Sequence, residues 1–216
     1  MVKNLILDQF GIELTEVSVG RLLRLMGLTP QRPLHRAYQQ NPARVANWLE
    51  AEYPAIQRKA KSHGATIYFG DEAGVRSDYH SGTTWAPKGK TPVIRTTGAR
   101  HSLNLISAIS AKGQMRFMTI EGKLTSESFI NFLERLMKNQ DKPIYLIVDG
   151  HPVHRSTRVR SFVESTEGKL KLFYLPPYSP ELNPDEQVWN QLKNHRIGKM
   201  ILKSMEDMTE KVHSSM

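Results

Sequence analysis

A run of five apolar residues, Ile144–Val148 (IYLIV), is the feature that most constrains the fold of this chain. It follows Lys142-Pro143 and runs directly into Asp149. A short, continuous apolar run bounded by turn residues is typical of a strand that is buried on both faces. Such strands belong to α/β sheets covered by helices on both sides, and open sheets of this kind bind ligands at the carboxyl ends of their strands. Asp149 is therefore predicted to stand where such a sheet binds its ligand.

The segments around this run predict the rest of a mixed sheet. Residues 66–70 (TIYFG) form a first short strand that ends on Asp71, and two further runs, 101–110 and 114–120, form a hairpin through Ala111-Lys112-Gly113. The later elements are an amphipathic helix capped by Thr125 or Ser126, a helix over 156–164, the strand KLKLFYL and a last helix over about 184–194. This order predicts an α/β fold with a mixed sheet flanked by helices.

The first residues predict a small helical segment. A short apolar segment over 4–10 is followed by Gly11, and apolar residues then recur at helical spacing over 14–28, with Thr15 or Ser18 as the N-cap. This is the outline of a helix-turn-helix, although an ordinary helical hairpin fits the pattern equally well. A Pro- and Arg-rich stretch over 29–42 indicates a linker, and it leads into a helix that we expect to be interrupted at Pro54.

The positive charge of the chain is concentrated in blocks. Thirty Lys and Arg residues outnumber 21 acids, giving a formal net charge of +9. Three segments hold no acid at all, namely 17–49, 79–120 and 187–205. One such block is as easily a solvated face, but three blocks around isolated acids favour a surface that binds a phosphate backbone.

Composition excludes several classes of protein. The chain has no cysteine, which excludes a disulfide framework, a Cys-ligated zinc site, an iron–sulfur cluster and a thiol nucleophile. No apolar run approaches the ~20 residues that a membrane-spanning helix needs. Asp8 and Glu13 interrupt the region where a signal peptide would be uncharged and apolar. We therefore expect a cytoplasmic protein with no membrane partner.

Three acidic residues lie at the ends of the predicted elements. Asp71 ends the first strand, Asp149 ends the apolar strand, and Glu186 lies beside Asp185 in the first turn of the last helix. A carboxylate buried at a strand end is costly unless it is paired or bound to a metal. Oxygen ligands without cysteine select a hard ion such as Mg²⁺ or Mn²⁺, and two such ions about 3.5–4 Å apart support in-line displacement at a phosphodiester. The pattern predicts either salt bridges or such a metal site.

Each of these acids also has a purely structural interpretation. Asp71 and Asp149 both lie in turn-like sequences, Asp-Glu-Ala-Gly and Asp-Gly. If Asn183 is the N-cap of the last helix, Glu186 occupies the position where a Glu accepts the backbone N–H of the cap in a capping box. The sequence alone leaves both interpretations of all three acids open.

The histidines and tryptophans near these acids carry weaker signals. His151 and His154 form an HxxH pair, a weak metal motif because no further His or Cys lies nearby. Contact with a phosphate or a supporting role fits His154 at least as well. Trp85 and Trp189 are interpreted as core or interface aromatics rather than as base-stacking groups.

Four ordered motifs resemble the catalytic domain of mariner-superfamily DDE transposases, in particular those of bacterial insertion sequences. They are YFGDEAG (68–74), TTWAPKGKTPV (83–93), LIVDGHPVHRS (146–156) and YLPPYSPELNPDEQVWNQLK (174–193). The most specific is SPELNPDEQVW, which is close to the family's S-P-D-L-N-P-x-E-x-x-W. The separations of 78 and 37 positions between the three acids also agree with the family pattern. The resemblance covers about residues 66–196.

This resemblance implies an RNase H-like fold in which Asp71, Asp149 and Glu186 are the catalytic, metal-holding DDE triad. It implies two Mg²⁺ ions, with Mn²⁺ as a substitute, that support cleavage of transposon-end DNA and strand transfer to target DNA. The implied partners are double-stranded DNA and a second copy in an active homodimer, in the nucleoid of a bacterial cytoplasm. The basic residues expected to contact DNA are Arg21, Arg24, Arg32, Arg36, Lys88, Lys90, His154, Arg155 and Lys193.

On this interpretation the chain has four parts. They are a partial helix-turn-helix DNA-binding segment (1–28), a Pro/Arg linker and helix (29–64), an RNase H-like DDE catalytic domain (65–200) and a C-terminal helical tail (201–216). Members of the family carry two helix-turn-helix units, so the chain resembles a 5′-truncated copy. The main hypothesis is a DNA transposase, and the alternative is a catalytically silent DNA-binding relic or inhibitor of the full-length protein. A host nuclease such as a junction resolvase ranks lower because it should lack the N-P-D-E-x-x-W motif.

Overall fold

Two compact units make up the structure, Met1–Arg36 and Ala37–Met216. The computed structural model describes residues 2–31, 37–78, 85, 87–90, 93, 100–120 and 122–216. Arg32 and Arg36, two of the expected DNA contacts, lie outside the described residues. Within the described part of the chain, no helix has the length and apolar character needed to cross a bilayer.

The first unit contains two helices, α1 (Val2–Phe10) and α2 (Glu16–Leu25). Gly11, at φ +66°, allows the chain to turn after α1 in a backbone conformation that L-residues rarely adopt. Of the two candidate caps of α2, Thr15 is the one used, because its hydroxyl accepts the backbone N–H of Ser18 at 3.1 Å. The two predicted helical segments are thus confirmed.

A helical segment with a wide turn in its middle opens the second unit. It comprises α3 (Pro42–Asn47), a π-helical turn (Trp48–Glu52) and α4 (Tyr53–Ser62). The α-helix is interrupted next to Pro54, as expected, but by this π-helical turn and not by a loop. Proline lacks a backbone N–H and clashes with the carbonyl four residues earlier, and the wider turn directly before Pro54 avoids that clash without breaking the helix.

The core of the second unit is a five-stranded mixed sheet. Its strands are β1 (Thr66–Arg76), β2 (Ser102–Ser110), β3 (Met115–Ile120), β4 (Ile144–Val148) and β5 (Leu170–Tyr174). They lie in the order β3-β2-β1-β4-β5. β1 pairs antiparallel with β2 and β2 with β3, whereas β4 is parallel to both β1 and β5. The mixed sheet, the hairpin and the fully buried β4 are as the sequence predicts.

β1 is longer than predicted. The expectation that it ends at Asp71 is wrong, because pairing with β2 continues to Arg76, which lies opposite Ser102. Asp71 lies in the middle of β1, opposite Ser107. The turn interpretation of Asp71 and the residues that follow it is therefore wrong as well.

Helices cover both faces of the sheet. On one face, α5 (Ser126–Met137) and α6 (Thr157–Ser165) pack on Tyr68 and on alternate residues of β4. On the other face, α4 packs on Phe69 and Tyr145, and α7 (Asp185–Asn190) and α8 (Met205–Ser215) lie over the end of β1 and β2. Successive residues of a strand point to opposite faces. Asp71 therefore faces α7, whereas Glu72 faces the side of α5 and α6.

Candidate active site

The strand register brings Asp71 and Asp149 together. In the parallel pair of β1 and β4, Phe69 lies opposite Ile147. Two residues further along each chain are Asp71 and Asp149, and neighbouring strands lie about 4.8 Å apart. Asp149 follows the last residue of β4, while β1 continues past Asp71. The two acids thus lie side by side at the carboxyl end of β4.

Two side chains fix the start of α7 against the sheet. Asn183 donates its side-chain N–H to the backbone oxygen of Gly70 at 3.1 Å. Asp185 is fully buried and accepts the hydroxyl of Ser107 at 2.7 Å. Because Ser107 lies opposite Asp71 in β2, these bonds place the first turn of α7 directly over Asp71.

Glu186 is the residue of this turn that points outward. The capping-box interpretation of Glu186 is wrong, because the backbone N–H of Asn183 donates to the oxygen of Pro180 at 2.9 Å. Asp185 is occupied in fixing the helix, whereas the exposed Glu186 lines a cleft together with Asp71 and Asp149. The cleft has a volume of about 470 Å³ and is also bordered by Arg155 and by residues 175–180.

Like charges meet at the base of this cleft. Burial, together with the negative charge of Glu186, raises the pKa of Asp71 to about 8. Burial likewise raises the pKa of Asp185 to about 7, although the hydrogen bond from Ser107 opposes that shift. In the described part of the chain, Asp71, Asp185 and Glu186 have no salt bridge. The site thus brings together more carboxyl groups than the described basic side chains pair with.

His154 links Asp149 to the opposite face of the sheet. Its buried ring lies between two carboxylates, with Nε2 at 2.7 Å from Glu72 Oε1 and Nδ1 at 3.1 Å from Asp149 Oδ1. Burial alone would lower the pKa of His154, but the bonds to Asp149 and Glu72 raise it to about 9. Partial burial would raise the pKa of Asp149, but the bonds from His154 and from the backbone of His151 hold it below its usual value. Asp149 is thus kept ionised and oriented.

Glu72, Asp149 and His154 form a cluster whose ligand atoms lie within 4.8 Å of one another. A metal ion would need a lone pair on a ring nitrogen of His154. Both ring nitrogens already face a carboxylate, Nε2 that of Glu72 at 2.7 Å and Nδ1 that of Asp149 at 3.1 Å. We therefore interpret this cluster as an ion-pair network that supports Asp149. The buried ring also offers no surface to DNA, which corrects the expected phosphate contact of His154.

Replacing His154 with leucine is expected to lower the free energy of unfolding by about 2–4 kcal/mol near pH 7, because it leaves two carboxylates without their cation. The folded-state pKa of His154 is raised from 6.5 to about 9. Its contribution to stability is therefore present in full below pH 6.5 and is lost as the pH rises through 9. Urea denaturation of the wild type and of His154→Leu, below pH 6.5 and above pH 9, measures the difference in unfolding free energy between them. Arg158→Gln, an exposed change on α6, is the control, and an equal loss in both variants would contradict the network.

The other basic residues expected to contact DNA lie in several places. Arg21 and Arg24 are exposed on α2 of the first unit. Lys88 and Lys90 are exposed in a turn, and Lys193 is half-buried in the π-helical segment Gln191–Arg196 after α7. Arg155 is the one that lines the cleft. Its guanidinium lies 4.5 Å from the centre of the Tyr174 ring and close to Gly150.

Sequence reasoning missed several residues that build this site. Ser107 and Gln40 lie in none of the four motifs, and Glu72 lies in YFGDEAG with no role assigned to it; the partners of all three are distant in sequence. Trp189 is buried in the core, as the sequence indicates, whereas Trp85, interpreted in the same way, is fully exposed.

The fold and the comparisons together define the class of protein. The order β3-β2-β1-β4-β5, with β1, β2 and β3 antiparallel in turn and β4 and β5 parallel to β1, is that of an RNase H-like sheet, which confirms the predicted fold. A family model described as DDE superfamily endonuclease matches residues 66–209, more than half of the chain. The chain belongs to this family. A second family model, described as winged helix-turn helix, matches residues 1–52.

Individual relatives agree with this assignment. The chain is 26% identical over 212 residues to "Insertion element IS630 uncharacterized 39 kDa protein" of Shigella sonnei, covering 94% of this chain and 60% of that protein. It is 23% identical over 197 residues to "Transposable element Tc1 transposase" of Caenorhabditis elegans, covering 84% of this chain and 69% of that protein. The resemblance to mariner-superfamily DDE transposases is thereby confirmed. The chain spans less than two thirds of the insertion-element relative.

A solved structure shows the same fold. "Mos1 transposase paired-end complex with left transposon end" superposes with a TM-score of 0.72 at 16% identity, covering 99% of this chain and 66% of that chain. At this level of identity the match concerns the fold alone.

Proposed function

We propose that this chain is a DNA transposase that cleaves transposon-end DNA in a reaction dependent on Mg²⁺ or Mn²⁺ and joins the freed end to target DNA. The observation that carries the proposal is the convergence of Asp71, Asp149 and Glu186 on one cleft. Membership of the DDE superfamily endonucleases supports phosphodiester chemistry at this place. Strand transfer rests on the resemblance to the transposase family.

The donor set of the cleft fits a hard divalent cation. The negative charge of Glu186 helps to raise the pKa of Asp71, and no described cation of the protein pairs with either carboxyl. Asp71, Asp149 and Glu186 would hold the metal, and two ions are expected. When bound, such ions activate the attacking oxygen and stabilise the leaving oxygen of a phosphodiester. The chain's own contribution is to orient Asp149 through His154 and to aim Glu186 from α7.

The basic residues are proposed to hold the DNA. Arg155, fixed over Tyr174 at the wall of the cleft, would contact a phosphate close to the site of cleavage. Lys88, Lys90 and Lys193 would contact the flanking backbone, and Arg21 and Arg24 of the helical unit would contact the transposon end. Each such contact releases counterions, so binding should weaken steeply with salt.

Assembly and location complete the proposal. By resemblance to the family, the active form is a homodimer on double-stranded DNA, in the nucleoid of a bacterial cytoplasm. The chain covers 60% of the length of its insertion-element relative. The second candidate function is therefore a catalytically silent relic or an inhibitor of a longer transposase. Salt-sensitive DNA binding without cleavage under any divalent metal would favour that candidate.

Glu186→Gln is expected to reduce metal-dependent nicking of DNA by at least about a hundredfold while leaving the thermal unfolding midpoint within a few degrees of wild type. The isosteric amide keeps the shape but removes the charge that would bind the metal. Nicking of labelled plasmid in Mg²⁺, in Mn²⁺ and in EDTA measures the activity.

Asp185→Ala is the matched variant, one position away. It removes the hydrogen bond from Ser107 and leaves a cavity at the start of α7, so we expect it to lower the unfolding midpoint. A fully active Glu186→Gln protein would contradict the assignment of the third acid. Absence of metal-dependent nicking by the wild type would contradict the catalytic proposal as a whole.

A further inference from the structure

The loop over residues 176–180, which we call the proline loop, forms one wall of the cleft. Pro176, Pro177, Tyr178, Ser179 and Pro180 all line the cleft that Asp71, Asp149 and Glu186 share. In the middle of this loop Tyr178 has a φ of +57°, in the left-handed region. A β-carbon makes that region costly for any residue other than glycine, and least so for Asn and Asp. A tyrosine held there is strained.

The fold does not compensate this strain through the tyrosine side chain. Tyr178 is 57% exposed, and in the described part of the chain its hydroxyl has no hydrogen bond and its ring has no aromatic partner. An exposed ring in a strained backbone adds little to stability. Strain of this kind is retained at sites where the side chain has a task.

A side chain from a distant segment holds the loop in this conformation. The side-chain amide of Gln40 donates toward Glu181 Oε1 at 2.7 Å, the backbone oxygen of Tyr178 at 3.0 Å and Ser179 Oγ at 3.3 Å. Ser179, itself buried, donates its hydroxyl to the backbone oxygen of Pro177. Two prolines precede Tyr178 and one follows Ser179, so the loop has few other conformations open to it. The ring of Tyr178 is thus presented at the rim of the cleft by a rigid support.

We propose that Tyr178 stacks on a nucleobase of the strand whose phosphate lies in the cleft, and that Gln40 is the positioning residue that holds Tyr178 for this contact. The ligand is an unpaired or frayed nucleotide of the bound strand. An aromatic ring at the rim of the cleft suits it because every base has a face that stacks, so the contact is independent of sequence. Arg155 on the same wall would neutralise the adjoining phosphate. The inference rests on the proposed action on DNA and adds the element that recognises the base.

Fluorescence of 2-aminopurine tests the stacking directly. The probe is a hairpin duplex with a short single-stranded 3′ extension, carrying 2-aminopurine in turn at each unpaired position and at the adjoining paired position. The titration is done in EDTA, so that no cleavage occurs. We expect the wild-type protein to quench the fluorescence at one or two neighbouring positions and to leave the others unchanged.

Four variants separate stacking from structure. Tyr178→Phe should keep the quenching, whereas Tyr178→Leu should abolish it and weaken binding of the extension about tenfold. Tyr178→Gly should also abolish quenching but should not lower the thermal unfolding midpoint, because glycine relieves the strain at this φ. Gln40→Leu should reduce the quenching although the tyrosine is present. Tyr38→Leu, at a fully exposed tyrosine that does not line the cleft, should change nothing.

Three results would overturn the inference. They are a wild-type protein that binds the probe without quenching or does not bind it, a Tyr178→Leu protein that quenches normally, and a Tyr178→Gly protein that is markedly less stable than wild type. Because the titration contains no metal, its outcome is separate from the cleavage assay. Cleavage that depends on Asp149 together with unchanged quenching in Tyr178→Leu would disprove the stacking role and leave the proposed function standing.

Discussion

Replacing Asp149 with asparagine is expected to reduce metal-dependent DNA cleavage by about a thousandfold, because several kcal/mol of transition-state stabilisation by bound metal would be lost. Asp149 lies beside Asp71 at the carboxyl end of β4, and its pKa is held below the usual value by His154 and the backbone of His151. Asp149 is therefore held ionised before any metal binds. An amide in its place keeps the size and one hydrogen-bond acceptor but has no charge to offer a cation.

The measurement is the single-turnover rate of nicking in Mg²⁺, with binding of the same DNA determined separately in EDTA. We expect binding to be almost unchanged, since Asp149 carries negative charge and does not attract phosphate. Asp141→Asn is the matched control, because Asp141 is exposed in the segment before β4 and away from the cleft. Cleavage by Asp149→Asn within tenfold of wild type would remove Asp149 from the catalytic triad.

The sheet was predictable to the extent that its signals are local. The apolar run of β4 shows burial on both faces, and Ala111-Lys112-Gly113 marks the hairpin between β2 and β3. The end of β1 was not predictable from its own residues. Asp71-Glu72-Ala73-Gly74 has turn-like composition, and pairing with β2, which follows some 25 residues later in the chain, keeps it extended to Arg76. Tertiary pairing thus overrides local preference there.

In the site too, the local motifs were readable from the sequence, whereas contacts between distant segments were not. Motifs identified the acids, but the distinction between Asp185 and Glu186 depends on which of two adjacent side chains meets Ser107 across the sheet. The support that His154 receives from Glu72 depends on Glu72 facing away from Asp71, which follows from the alternation of β1 once its length is known. The strained backbone of Tyr178 has no sequence signal, since a tyrosine within a proline-rich run says nothing about the sign of φ.

Replacing Asp71 with asparagine is expected to make the metal-free protein more stable at pH 8, by about 1–3 kcal/mol, even though it abolishes cleavage. Burial and the neighbouring Glu186 raise the pKa of Asp71 from 3.8 to about 8. A raised folded-state pKa means that the stabilising effect of the protonated carboxyl is complete below about pH 4 and is lost as the pH rises through 8. In the wild type the unfolding free energy should therefore decrease over this range more steeply than in Asp71→Asn.

We expect Mg²⁺ to make the wild type the more stable of the two proteins. Mg²⁺ that binds only the folded protein, at a concentration a hundred times its dissociation constant, adds about 2.7 kcal/mol to the stability of the wild type. It should add much less to Asp71→Asn, which has lost one of the proposed ligands. Chemical denaturation at pH 5 and pH 8, each with EDTA and with Mg²⁺, measures the free energy of unfolding of both proteins under these four conditions. Asp141→Asn is the control and should have the same stability as the wild type under each of them. If Asp71→Asn is the less stable protein at pH 8 in EDTA, the like charges in the cleft do not repel as the structure implies. If Mg²⁺ stabilises both proteins equally, Asp71 is not a ligand.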